Sequence, residues 1–245
     1  MRTVPVDDVL RRIPENARRV GLLGAAVTDH PGICDLVGSI VESGREIGVS
    51  SLRADRLADH LGEEFVRLLA KGGYRTLTTA ADGVSRRMRD MAGRNIEERH
   101  LMRTAELARL AGMSRLKLYE MIGFPGETPD DIEELIRFSL KISKVVHLSL
   151  GISPFVAKRN TPLADAPFED ISILESKFSR IRAGLKGKVE VKPGSARFAW
   201  IEYMLSQGDD SAGLAAMDAW RRGGRFAAWK QAFHTGGAAR ATRAY

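Results

Sequence analysis

SRLKLYEMIGFPGETPDDIEELIRFSLKIS, residues 114–143, holds a change of period in its middle. Leu116 and Leu118 alternate with Lys117 and Tyr119, the two-residue repeat of a strand. Gly123-Phe124-Pro125-Gly126-Glu127 breaks that pattern. Glycines there supply turn dihedrals that other residues resist, and they let a backbone approach a ligand closely. From Asp130 to Ser143 the apolar residues recur at helical spacing. Thr128 suits the position before the helix and Pro129 its first residue, and the following acids favour the positive end of the helix. The stretch predicts one strand–turn–helix unit.

The same alternation runs outward in both directions. VGLLGAAV (20–27), EIGVSSLRA (46–54), YRTLTTA (74–80) and VVHLSLGISPF (145–155) read as further strands beside 114–123. Helical spacing covers 35–45, 55–73 and 98–112, the last ending at Gly112, a common helix stop. Short strand–helix connections imply parallel strands and right-handed crossovers. Periodicity alone leaves an open doubly wound sheet and a barrel both standing. Residues 1–19 read as a short helix, Val6–Arg12, and a loop. Beyond Phe155 come a Pro-containing loop (156–167), a helix at 169–184, a strand-like 189–192 and helices near 196–206, 210–222 and 225–234. These changes divide the chain into an N-terminal segment (1–19), an α/β barrel-like part (20–155), a C-terminal helical extension (156–234) and a tail (235–245).

With 44% hydrophobic and 28% charged residues, the 245-residue chain is globular rather than disordered or fibrous. Its apolar runs fall far short of the roughly 20 residues that cross a bilayer, and 1–16 lack a signal-peptide core. The expectation is a cytoplasmic protein with no membrane partner. A single cysteine, Cys34, excludes an internal disulfide and any multi-cysteine metal site. The net charge of +7 is mixed along the chain, so RNA is a conceivable partner without a dedicated basic run.

In parallel α/β folds ligands sit beyond the C-terminal strand ends. That places the candidates in five loops: 24–31, 50–55, 78–85, 119–127 and 153–158. Gly24-Ala25-Ala26 are small enough to bare backbone groups to a ligand. Arg53 can bind a carboxylate bidentately, or pair with Asp55. Asp82 can accept from ribose hydroxyls, or form an Asp-Gly turn. Lys117 and Tyr119 share one strand face. Asp29-His30 is an acid–base pair or a turn device. The late aromatics Phe198, Trp200, Tyr203, Trp220, Phe226, Trp229 and Phe233 read as helix packing, with base stacking beside Arg221, Arg222 and Arg225 as the other reading.

Taken together the motifs VGLLGAAVTDHPGI, VSSLRAD, GGYRTLTTAADGVSRRMR, LKLYEMIGFPGETPDDIEE and SPFVAKRNTP resemble the radical S-adenosylmethionine (radical SAM) superfamily, over about residues 2–234. The closest likeness is to iron–sulfur oxidoreductases often fused to a cobalamin-binding domain. The resemblance implies a partial (β/α)6 TIM-like barrel with a C-terminal helical extension, and the cofactors S-adenosylmethionine and a [4Fe–4S] cluster, with cobalamin on a further domain. It implies reductive cleavage of S-adenosylmethionine to a 5′-deoxyadenosyl radical. It carries cofactor binding to Gly24, Ala25 and Ala26 (methionine amino group), Asp82 (ribose), Tyr119, Ile122, Gly123 and Gly126 (adenine region) and Ser153, and catalytic contacts to Arg53 and Lys117.

The family's Cys-x3-Cys-x2-Cys loop has no counterpart here, and the first barrel strand is absent with it. Val20–Val27 would then be an edge strand, a pairing liability. The expectation is the S-adenosylmethionine-binding part of such an enzyme, inactive alone, truncated or split, with the cluster loop supplied by another chain or segment. The alternative is a non-catalytic module using its basic surface for a partner or RNA.

Overall fold

A computed structural model describes residues 3–24, 26–50 and 52–235. The chain forms two units that interleave in sequence. The first comprises Met1–Glu120, Asp130–Gly151 and Gly184–Lys192, and the second Met121–Pro129, Ile152–Ala183 and the residues from Pro193 on.

In the first unit, α1 (Val6–Arg11) precedes β1 (Arg19–Leu22), α2 (Ile33–Glu42) and β2 (Glu46–Val49). β1 and β2 pair in parallel, from Arg19 opposite Glu46 to Leu22 opposite Val49. The apolar run expected as a strand to Val27 leaves the ladder at Leu22, because β2 itself ends at Val49; Leu23 is 86% exposed, and Val27–Asp29 form a 3₁₀ turn. α2 buries Ile33, Leu36, Val37, Ile40 and Val41 on one stripe, as helical spacing requires.

The single helix expected over 55–73 is broken. α3 (Ala54–Arg56) runs into a π turn at Leu57–Leu61 before α4 (Gly62–Lys71). Gly62 has φ +65°, which interrupts a regular helix. In the π turn Asp59 accepts from Arg99 at 2.8 Å and from the buried His100 Nε2 at 3.1 Å. His100 Nδ1 in turn accepts the backbone N–H of Glu97, so the ring proton sits on Nε2.

β3 (Thr76–Ala80) follows, then α5 (Arg86–Met91), α6 (Glu98–Leu110), β4 (Arg115–Ile122), α7 (Pro129–Ser143), β5 (Leu148–Pro154) and β6 (Glu190–Pro193). α7 starts at Pro129 as its sequence predicts, and Gly112, at φ +71°, terminates α6. Four strands form a sheet in the order β3-β4-β5-β6, with β3 parallel to β4 from Thr76 opposite Arg115 to Ala80 opposite Tyr119. Leu116, Leu118, Leu148 and Leu150 on β4 and β5 are fully buried.

The two sheets share no ladder, and among the described residues no ring of strands closes. The open edge of β2 is nevertheless satisfied. Ile47 N–H donates to Gly72 O at 2.9 Å, and the Tyr74 hydroxyl both donates to Val49 O at 3.1 Å and accepts from Val49 N–H. The unit is thus an α/β fold of the partial TIM-like kind.

In the second unit, α8 (Ile171–Leu185), α9 (Ala196–Gln207), α10 (Ser211–Arg221) and α11 (Phe226–Thr235) follow the loop after β5. Ala157, Tyr203, Met204, Ala212, Ala215, Ala219, Ala232 and Phe233 form its core, with Trp200 and Trp229 packed on them. Trp200 meets Phe226 and Phe233 edge-on at 5.4 and 5.8 Å, so this part of the late aromatic set is helix packing. Phe198 and Trp220 are exceptions, 73% and 77% exposed. No described helix is long and apolar enough to cross a membrane.

Candidate functional site

At the C-terminal ends of β2, β3 and β4 lies a cavity of about 420 Å³, within the size range of small-molecule sites. Arg53, Thr78, Thr79, Asp82, Arg94 and Tyr119 line it, with Ala26, Ser50 and the 93–96 loop. Parallel strands bring these residues together, since each contributes residues in its C-terminal half or just past its end.

Arg53 bridges two acids. Its Nε and Nη2 reach Asp55 at 3.1 and 2.6 Å, and its Nη1 reaches Asp29 Oδ2 at 3.0 Å. The hydrogen bonds that it donates to Asp55, with the charges of Asp55 and Asp29, hold the guanidinium pKa above its ordinary value. Burial raises the Asp55 carboxyl, but the Arg53 hydrogen bond and charge outweigh it, so its pKa lies below the ordinary value. Asp29 also pairs with Arg56 at 3.3 Å. His30 is turned away from Asp29: Nε2 donates to Val4 O at 2.8 Å and Nδ1 accepts from Gly32 N–H. The Asp29–His30 acid–base pair does not form.

Asp82 sits at φ +61°, in the left-handed region. Its carboxylate lines the cavity and pairs with Arg94 at 2.6 Å. The Asp-Gly turn therefore forms, and it aims the Asp82 side chain at the cavity. Gly83 follows because nothing larger fits: a Cβ there would lie 2.6 Å from Arg89 N and 2.7 Å from Met88 C. Thr79 is fixed by donating to Leu52 O at 2.7 Å.

Beneath the turn lies Glu120, fully buried, accepting Gly83 N–H at 3.1 Å. Desolvation drives its pKa well above the ordinary carboxyl value, against the opposing pull of buried Arg89. Glu120 was not among the sequence candidates, yet it was findable: it falls on the Leu116–Leu118 face of β4, the buried one.

Ala26, Arg53, Asp82 and Tyr119 are thus brought together. Gly24 lies beside them; its carbonyl accepts from Ser50 Oγ at 3.5 Å, while it lines a separate apolar pocket with Leu22, Val27 and Ile33. Ala25 falls outside the described residues. Lys117 does not line the cavity; its ammonium stands over the Tyr119 ring, 4.6 Å from the centroid. Thr78, Thr79, Arg94 and Asn95 are cavity residues that sequence reasoning passed over.

Ile122, Gly123, Gly126 and Ser153 belong to the second unit. Gly123 (φ +86°) and Gly126 (φ +70°) shape the turn, and the Glu127 carboxylate folds back to accept Gly123 N–H at 3.0 Å. Lys177 Nζ donates to Glu127 at 2.7 Å and to Glu169 at 2.7 Å. Burial raises the Glu127 pKa, partly offset by Lys177 and the Gly123 N–H. For Lys177 the two carboxylates outweigh burial, and its pKa is raised.

The donor set does not fit an iron–sulfur cluster. Cys34 is the one cysteine of the chain. It is exposed, and partial burial with Asp35 and Glu64 pushes its thiol pKa up, away from a ligating thiolate. Among the described residues no group of three or more His, Cys, Asp or Glu side chains could hold a metal. The cavity wall offers a guanidinium, a carboxylate and an aromatic ring, from Arg53, Asp82 and Tyr119. Three guanidiniums, Arg53, Arg56 and Arg94, and three carboxylates, Asp29, Asp55 and Asp82, stand in or behind its wall and pair with one another.

Comparison with known proteins agrees with the fold. The uncharacterized protein MJ0966 of Methanocaldococcus jannaschii is 30% identical over 213 residues, 84% of this chain. The chain spans about half the length of that relative, 46%. The family model of the Radical SAM superfamily matches residues 1–139, more than half the chain. The protein belongs to the radical SAM superfamily.

Proposed function

We propose that the chain binds S-adenosylmethionine in the cavity beyond β2, β3 and β4, as the cofactor-holding part of a radical SAM enzyme. The observation that carries this reading is the convergence of Arg53, Asp82 and Tyr119 on one cavity whose charges are already paired. Arg53, held by two acids, offers its remaining surface to the ligand carboxylate. Asp82 accepts from the ribose hydroxyls, one of its oxygens being held by Arg94. Tyr119, 42% exposed and braced by Lys117, presents its ring to the adenine.

With one cysteine in 245 residues, the iron ligands come from outside these residues, and the chain by itself binds S-adenosylmethionine without cleaving it. Calorimetry with S-adenosylmethionine is expected to give a dissociation constant on the order of 0.1 mM, weakened about tenfold by Asp82→Ala or Arg53→Met. Anaerobic iron and sulfide reconstitution is expected to give no charge-transfer absorbance. No heat of binding at millimolar ligand overturns the cavity assignment, and a bound cluster overturns the assignment of the iron ligands to residues elsewhere.

A further inference from the structure

α10 has two faces of different kinds. Ala212, Ala215 and Ala219 are buried against Tyr203, Met204 and Phe233. Leu214, Met217 and Trp220 stand out on the other side, 68%, 50% and 77% exposed. At 100° per residue these three fall within about 60° of Met217 around the helix axis. Scattered exposed apolar residues are ordinary, but a contiguous ridge that ends in a tryptophan marks a contact surface.

The ends of the ridge are charged and opposite. Asp210 precedes the helix and makes no capping bond, and Arg221 closes it. Both are exposed and lie within about 40° of Met217 around the axis. Neither has a side-chain partner among the described residues, whereas the neighbouring Arg222 is taken by Asp218 at 2.8 Å. The face therefore runs from an acid, along an apolar ridge, to a base, over a helix of about 16 Å.

The geometry points to a second copy of this chain as the occupant, docked antiparallel about a two-fold axis near Met217. A two-fold interface matches a surface to itself, and this one is self-complementary. Antiparallel pairing brings Asp210 toward the partner's Arg221, and Leu214 toward the partner's Trp220, while Met217 sits at the axis. A polyanion such as RNA or an acidic membrane meets Asp210 with like charge. Residues 236–245 carry Arg240 and Arg243 and no acidic side chain, so they do not complement both ends. The three ridge residues offer roughly 300–450 Å² per copy, against about 800 Å² per partner in a standard interface. The pairing is consequently weak and reversible.

Sedimentation velocity of the full chain across about 2–200 µM tests this, with dimerisation expected on the order of 10 µM. Met217→Lys, at an exposed position, is expected to leave a monomer throughout with an unchanged circular dichroism spectrum. Asp210→Arg and Arg221→Asp are each expected to weaken dimerisation several-fold, and the double exchange to restore it. That rescue distinguishes charge pairing from a general loss of solubility. A wild-type chain that stays monomeric overturns the proposal. So does a dimer indifferent to Met217→Lys, or binding of RNA or anionic vesicles lost with Trp220→Ala in a chain that does not dimerise.

Discussion

Replacing Gly83 with alanine adds one methyl group at the most crowded point of the candidate site. The new carbon would stand 2.6 Å from Arg89 N, 2.7 Å from Met88 C and 3.0 Å from Arg89 Cα. Relaxed carbon contacts lie near 3.5–4.0 Å, so about 1 Å of movement is needed. All three neighbours are backbone of α5, and that helix is fixed at its start by Ser85 Oγ, which accepts Met88 N–H. Rotating a side chain therefore relieves nothing. Moving the turn instead pulls Gly83 N–H from Glu120 and leaves a buried carboxyl without its donor. Overpacking costs about 1–3 kcal/mol, and the threatened hydrogen bond puts the expected loss near 3 kcal/mol. For a chain of this size that is a fall in Tm of about 6–12 °C. Gly38→Ala is the control. Its added carbon, within α2, meets nothing within 4 Å. It is expected to stabilise by about 0.5–1 kcal/mol, since alanine loses less backbone entropy in a helix. Calorimetric melting of the three proteins checks both signs. A Gly83→Ala protein melting within about 2 °C of the wild type would refute the steric reasoning.

Glu120 makes stability depend on pH in a defined direction. Its carboxyl is raised in the folded state, so its contribution is fully present below the unfolded value of about 4.3 and is lost as pH climbs through the folded value. The stability of Glu120→Gln relative to wild type is expected to improve from pH 5 to pH 8, measured by urea unfolding; a difference that stays flat counts against a buried, proton-holding Glu120. In the second unit, Lys177→Met leaves Glu127 and Glu169 facing each other without their shared cation. A loss of about 3 kcal/mol is expected in guanidinium unfolding, and a loss under about 1 kcal/mol would mean that solvent already screens the cluster.

Local order was legible from residue patterns. The alternation at Leu116 and Leu118, the helix start at Pro129 and the stop at Gly112 are decided by neighbours in sequence, and all three appear where expected. Where the reading failed, something distant intervened. β1 stops at Leu22 because its partner β2 stops, and the helix at 55–73 breaks where Gly62 turns left-handed and Asp59 reaches Arg99, forty residues on. Arg53, Asp82 and Tyr119 were suggested by strand-end position, and they do share a cavity.

What the amino-acid order determined by itself was the period of each segment, the glycine and proline boundaries, the single cysteine and the family likeness. These are properties of short stretches or simple counts, and they need no packing to be read. Only the tertiary structure decided that Arg53 is shared between Asp29 and Asp55, that Arg94 faces Asp82, and that Glu120 is buried under Gly83. Charge pairing and desolvation depend on which strand ends become neighbours, and strand order is fixed by burial of the whole chain rather than by any one segment.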